Sequence, residues 1–232
     1  MKNKIYVPTK GVDSWKELLI DSEKQWQTGF SARTIAHCWE DQENGFPNEF
    51  NKPFQDLGLK LNILLAIPEH KVPLNNKQAP SQNDLFVLSK NSNSNELVVV
   101  MIEGKVSESF DKSIKDWYLS ESNGKKARFE FLAKELEINP NISDYDSLRY
   151  QLLHRTVSAI LTAKEFNAKK AIMVVQSFSE DNKWHKDYLN FAKALNPNLR
   201  AGVGTIEKCK TLNSGIELYI GWIKGDCNYL KK

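Results

Sequence analysis

The chain has few cysteines, no long apolar run and no strong charge bias, and each shortage removes a class of function. Cys38, Cys209 and Cys227 are odd in number, widely spaced and without a Cys-Xaa-Xaa-Cys pair, which argues against a disulfide framework and against a zinc knuckle. The longest clearly apolar run, Leu97 to Ile102, is six residues. A bilayer-spanning helix needs about 20, so no membrane partner is expected. The basic start Met1-Lys2-Asn3-Lys4 leads into no apolar stretch of signal-peptide type, so a cytoplasmic location with reduced thiols is expected. A formal net charge of +3 over 232 residues is slight for a protein held to nucleic acid by nonspecific phosphate contacts. Internal repeats, a Gly-rich phosphate loop, a His-Glu-Xaa-Xaa-His helix and a nucleophile elbow are all missing, which disfavours P-loop nucleotide hydrolases, zincins and serine hydrolases.

What is present reads as one globular domain, 1–232, with 41% hydrophobic and 26% charged residues. An N-terminal helical part is expected over 1–67. Asp13 would cap a helix with Trp15, Leu18, Leu19 and Trp26 on one face, and Ser31 a second with Ile35, Ala36 and Trp39. Leu57, Leu61, Leu64 and Leu65 recur at helical spacing, so the helical part runs on to Ile67 and an extended loop follows. The remainder, 68–232, forms the core. Two strands, Asn83 to Leu88 and Leu97 to Lys105, flank a polar turn and make a hairpin. Helices are predicted at 111–119, 124–136, 147–166 and 182–195, with strands at Ala171 to Val175 and at 215–223, the last placing Trp222 in the core rather than against bases. A short apolar strand entered from a helix suits a parallel crossover. The fold class is therefore α/β: a mixed central sheet flanked by helices.

The chemistry concentrates at the end of the second hairpin strand. Side chains alternate along a strand, so Glu103 and Lys105 point the same way, and the hairpin could bring Asp84 alongside Glu103. Two carboxylates that close repel unless a cation lies between them. A hard divalent ion such as magnesium takes oxygen ligands, and one or two protein carboxylates suffice because it keeps several waters. Lys105 beside it could orient a water or neutralise charge on a phosphoryl group. The bland alternative is a strand-end ion pair between Glu103 and Lys105, of a kind that stabilises by about 0–1 kcal/mol when exposed.

Asp84, a hairpin-sized gap, then Glu103-Gly104-Lys105 closing an apolar strand resembles the PD-(D/E)XK nuclease superfamily. The Pro-Asp dipeptide itself is absent, since Pro80 lies four residues before Asp84. The resemblance implies a restriction-endonuclease-like sheet and a metal-dependent nuclease. In it Asp84 and Glu103 bind Mg2+ or Mn2+, the Gly104 carbonyl adds a ligand, Lys105 serves the attacking water, and Gln151 on the following helix supports that water. It implies nucleic acid as partner, DNA before RNA, and a symmetric homodimer matched to a duplex. A narrower resemblance carries over most of the chain. Ser31-Ala32-Arg33, 67–73, Pro80 to Asp84, Glu103-Gly104-Lys105, the Gln151 helix and Leu218 to Trp222 look like an uncharacterised bacterial family of unknown function placed near those nucleases.

Other candidates are weaker. Glu69-His70-Lys71 is a second Glu-Xaa-Lys, in the expected loop; Glu69 is the preferred third acidic ligand, ahead of Glu40 and Asp41, although an ordinary ion pair is its plainer role. Arg155, one turn beyond Gln151, could meet phosphate, as could Arg149 and His154, while a single His beside an apolar face is more often structural. A nuclease-fold module that binds nucleic acid or a protein partner without cutting is the main alternative function. A small-molecule site in the same cleft is the third.

Overall fold

A computed structural model of the chain describes residues 8–43, 45–75, 79–120 and 122–232. Its architecture follows from one strand that must be covered on both sides. Strand β3, Leu97–Lys105, is buried along nearly its whole length, as is β4, Lys170–Ser177. Strands that read as unbroken apolar runs need a layer of helix on each face. They form the middle of a six-stranded mixed sheet ordered β1-β2-β3-β4-β6-β5, where β1 is Leu61–Val72, β2 Ser81–Asn91, β5 Thr205–Thr211 and β6 Glu217–Lys224. β1, β2 and β3 form an antiparallel meander, β3, β4 and β6 run parallel, and β5 closes the far edge antiparallel to β6. The α/β fold class expected from the sequence is the one found.

Alternation along β3 separates two cores. Val99 and Met101 pack with Ile114 of α5 (Ile114–Tyr118), Phe129 and Leu132 of α6 (Asn123–Leu136), Leu152, Val157 and Ile160 of α7 (Tyr150–Glu165) and Phe191 of α8 (His185–Leu195). Val98, Val100 and Ile102 pack on the other face with Ile35 and Trp39 of α3 (Ser31–Glu40) and Phe54 of α4 (Asn51–Asp56). The N-terminal helices are thus one layer of the sandwich. Trp222 is fully buried between α8 and the sheet, as expected for a core residue. Among the described residues no helix is long and apolar enough to cross a membrane.

Three expectations need correction. The helix expected to continue to Ile67 stops at Asp56, Gly58 turns the chain at a φ of 68°, and Leu61–Val72 is a strand. Its burial alternates with period two, Asn62, Leu64 and Ala66 facing outward, so the leucine spacing that mimics a helix arises from a half-covered edge strand. Nearer the start, helix α1 covers only Asp13–Lys16; Leu18 lies beyond it and is exposed, and α2, Ser22–Gln25, is capped by Asp21 rather than forming one helix with α1. Finally β5 was not anticipated, because its Thr-Ile-Glu-Lys-Cys-Lys-Thr is polar on one face and carries a bulge at Lys208/Lys210.

The joint between β5 and β6 is tight at one glycine. A Cβ at Gly221 would sit 2.6 Å from Ile206 Cγ1 and 2.9 Å from the Thr205 carbonyl oxygen. Gly221→Ala is expected to destabilise the fold by about 1–3 kcal/mol, the usual cost of overpacking, read as a lowered urea midpoint. An unchanged midpoint would contradict this packing.

Candidate active site

The β2–β3 ladder ends at the pair Leu85–Ile102, yet neither strand ends there. β2 continues to Ser81 paired with β1, and β3 continues to Lys105 paired with β4. The two strands part, and their ends frame a cleft of about 390 Å³. Asp84 stands in the fork, its Oδ2 accepting a 2.6 Å hydrogen bond from the Gly104 amide. A Cβ at Gly104 would lie 3.3 Å from that oxygen, so glycine lets the carboxylate approach the backbone.

Glu103 is the most heavily engaged residue of the cleft. Its Oε1 accepts from Lys105 Nζ at 2.7 Å and from Gln151 Nε2 at 2.8 Å, and its Oε2 accepts from Arg155 Nε at 2.6 Å. Gln151 and Arg155 are one turn apart on α7, which crosses this end of the sheet, so one helical face meets one strand end. Burial opposes the charge on Glu103, but Arg155 and then Lys105 outweigh it and hold the carboxyl below its ordinary value. Lys105 is itself buried, with its Nζ 5.2 Å from the Phe110 ring centroid. These two cations are committed to Glu103.

Glu69 and Asp84 have no such partner. Glu69 lies on β1 between the pairs Pro68–Leu85 and His70–Asn83, hence opposite Asp84. It is a non-glycine residue at a φ of 51°, a conformation that side chains other than glycine seldom adopt and that collects at functional sites. Its Oε2 accepts from Gln82 Nε2 at 2.7 Å, and it makes no ion pair among the described residues. The ordinary ion pair that sequence favours for Glu69 is therefore not what the fold provides, nor is the loop, since Glu69 belongs to a strand. Burial, followed by repulsion from Glu103, pushes Glu69 up to about 7. Burial and the neighbouring Glu103 and Glu69 charges likewise raise Asp84 well above the ordinary carboxylate range.

The fold brings Asp84, Glu103, Lys105, Gln151, Arg155 and Glu69 into one cleft. It directs the remaining candidates elsewhere. Arg149 pairs with Asp187 at 2.9 Å, Glu40 bonds Trp15 Nε1 and Thr9 Oγ1, and Asp41 meets Lys232 and Tyr229. His154 shares a 2.8 Å hydrogen bond with Ser81 Oγ, which also accepts from Arg155 Nη1. Burial, then the Arg155, Arg128 and Lys105 charges, push His154 well below its ordinary value, so it stays neutral and supports the wall behind Arg155. Sequence reasoning missed Gln82, Ser81 and Glu108, the last of which accepts from the Ser31 and Val106 amides at the cleft edge. For Gln82 a signal existed: it lies two residues before Asp84, on the same strand face.

The residues fit a hard cation in kind. No group of three His, Cys, Asp or Glu side chains among the described residues is close enough to hold a metal by itself. The cleft lining holds carboxylate and carboxamide oxygens and, among the described residues, no His or Cys ligand, and the Gln82 carbonyl oxygen is buried without a hydrogen-bond partner. Magnesium typically binds one or two carboxylates and completes its shell with water or phosphate. What the structure shows of Gly104 here is its amide, occupied by Asp84.

The Glu69 shift has a signed consequence. A carboxyl raised from 4.5 to about 7 in the folded state binds a proton that the unfolded chain has released, so its stabilisation is full below 4.5 and is lost as pH rises through about 7. In chelator-containing buffer, wild-type Tm is expected to fall across this window more steeply than that of Glu69→Gln. Parallel profiles would contradict the assignment.

No curated protein and no solved structure matches the chain. A family model does, over residues 8–227, described as a domain of unknown function, DUF6946. The chain belongs to that family.

Proposed function

We propose that this cleft hydrolyses phosphodiester bonds of nucleic acid with the help of Mg2+ or Mn2+, in the manner of the PD-(D/E)XK nucleases. The observation that carries the reading is the meeting of Asp84, Glu103 and Lys105 where β2 and β3 part, with Gln151 delivered from α7. Asp84 would hold the ion with a second acidic side chain of the cleft, Glu103 or Glu69, and the Gly104 carbonyl is the backbone ligand that the resemblance implies. When bound, such an ion neutralises charge on the phosphoryl group and makes water more acidic. Water attacks phosphorus, one P–O ester bond breaks, and the departing oxygen takes up a proton.

The chain's own part is positioning and charge. Lys105, fixed by Glu103 and packed on Phe110, presents its ammonium where a water would be oriented and where negative charge develops. Gln151 holds the same Glu103 oxygen and is placed to bond that water. Arg155 adds positive potential for a phosphate from behind Glu103. Leu19, Ile20 and Phe30 also line the cleft, Ile20 and Phe30 being exposed. DNA as the substrate, and a symmetric pair of chains acting on a duplex, belong to the proposal through the resemblance alone.

One observation favours a second reading. Both Glu103 oxygens are already taken by Lys105, Gln151 and Arg155, an arrangement that suits a module which binds nucleic acid or a protein partner and does not cut. Cleavage assays on single- and double-stranded DNA and RNA with Mg2+ or Mn2+ separate the two. Wild type should cut, and Lys105→Met, which keeps the stem on Phe110, should lose about 100-fold or more in rate while remaining folded at the assay temperature, with a Tm lowered by the loss of a buried partner of Glu103. Equal rates for the two proteins would refute the role of Lys105; salt-sensitive binding without cleavage by wild type would establish the second reading.

A further inference from the structure

Resting on the metal-dependent reading, we infer that the cation seat in this chain lies on the β1 side of Asp84, formed by Asp84, Glu69 and the side-chain carbonyl of Gln82, and that Glu103 is a positioning residue rather than a metal ligand. Charge pairing separates the carboxylates. Glu103 receives two cationic donors, Lys105 at 2.7 Å and Arg155 at 2.6 Å, and a third donor from Gln151 at 2.8 Å. A cation approaching Glu103 meets two positive charges there. Asp84 receives only a backbone amide, and Glu69 only a neutral carboxamide. Glu108, at the cleft edge, accepts from two backbone amides, so along the paired β1 and β2 segment the carboxylates without a cationic donor are Asp84 and Glu69.

Gln82 points to the same place independently. Its Nε2 donates to Glu69, which fixes the carboxamide and leaves Oε1 buried with no partner. A buried carbonyl oxygen in a native fold is normally hydrogen-bonded, and among the few exceptions here, which include Asn83 Oδ1, that of Gln82 belongs to a side chain lining the cleft, where an ion or a water can reach it. Gln82 is two residues from Asp84 on β2, and Glu69 lies opposite Asp84 on β1, so all three side chains come from one paired segment. Two carboxylates and a carbonyl are hard oxygen donors suited to Mg2+ or Mn2+, with water or a substrate phosphate filling the rest of the shell. Glu103 then sets the places of Lys105, Gln151 and Arg155 facing that ion.

Calorimetric titration of Mn2+, with electron paramagnetic resonance of the bound ion and a thermal melt of every variant, tests this without relying on activity. Gln82→Leu and Glu69→Gln are expected to weaken Mn2+ binding about 10-fold or more, whereas Glu103→Gln should retain it within about 3-fold. Gln82→Glu, which restores an oxygen donor, should bind at least as tightly as wild type, and this pair at position 82 decides the matter if Glu103→Gln does not fold. Wild-type binding by Gln82→Leu, or its loss in both position 82 variants alongside native melts, would overturn the inference and leave the nuclease reading intact. Failure of wild type to bind Mn2+, alone or with a short DNA present, would overturn both.

Discussion

A single buried carboxylate organises this end of the molecule. Glu103 terminates the central apolar strand at a place where neither water nor a backbone group can support its charge, so donors have to be supplied by other elements. Lys105 comes from the same strand, and Gln151 and Arg155 come from the first turns of the crossover helix α7. The position of α7 over the sheet is thereby tied to the site, through Arg155 and onward through Ser81 and His154. Buried ion pairs seldom stabilise a fold more than well-packed apolar residues of similar volume would. Stability alone therefore gives little reason for Asp84, Glu69 and Glu103 to meet Lys105 and Arg155 in one cleft.

The backbone makes room for that cluster. β3 and β4 are parallel and both finish at this end, Lys105 opposite Ser177, while β2 leaves β3 to follow β1. Open sheets with parallel strands bind ligands beyond the carboxyl ends of those strands. Under the opposite face a second buried polar set braces the same strands: Gln176 accepts from Trp39 Nε1 at 2.9 Å and donates to Glu49 at 2.8 Å. Cys38 lies beside this set, and burial raises its thiol; burial likewise pushes Cys209 up to about 12, so neither is poised as a nucleophile.

The centre of the site was legible in sequence because it depends on period-two alternation in a strongly apolar strand, which fixes Glu103 and Lys105 on one face whatever surrounds them. Asp84 needed only a hairpin of ordinary length. Gln151 was a candidate through the resemblance, and Arg155 followed from its spacing of one helical turn beyond Gln151. Glu69 was legible as a candidate but not as a strand residue, because β1 is an edge strand of leucines and alanine whose spacing imitates a helix, and its left-handed φ leaves no mark in composition. Gln82 shares a strand face with Asp84 by its spacing of two, but its bond to Glu69 and its unpartnered carbonyl are visible only in the fold. Arg149 shows the converse: a basic residue beside the site in sequence is bonded to Asp187 in space.

The most direct test of the account is the anomalous difference map of crystals grown with Mn2+ and a short DNA. A manganese peak is expected in the fork between β1, β2 and β3, bonded to Asp84 and, by the finer inference, to Glu69 and Gln82. An absent peak, or one held by residues outside this cleft, would contradict it.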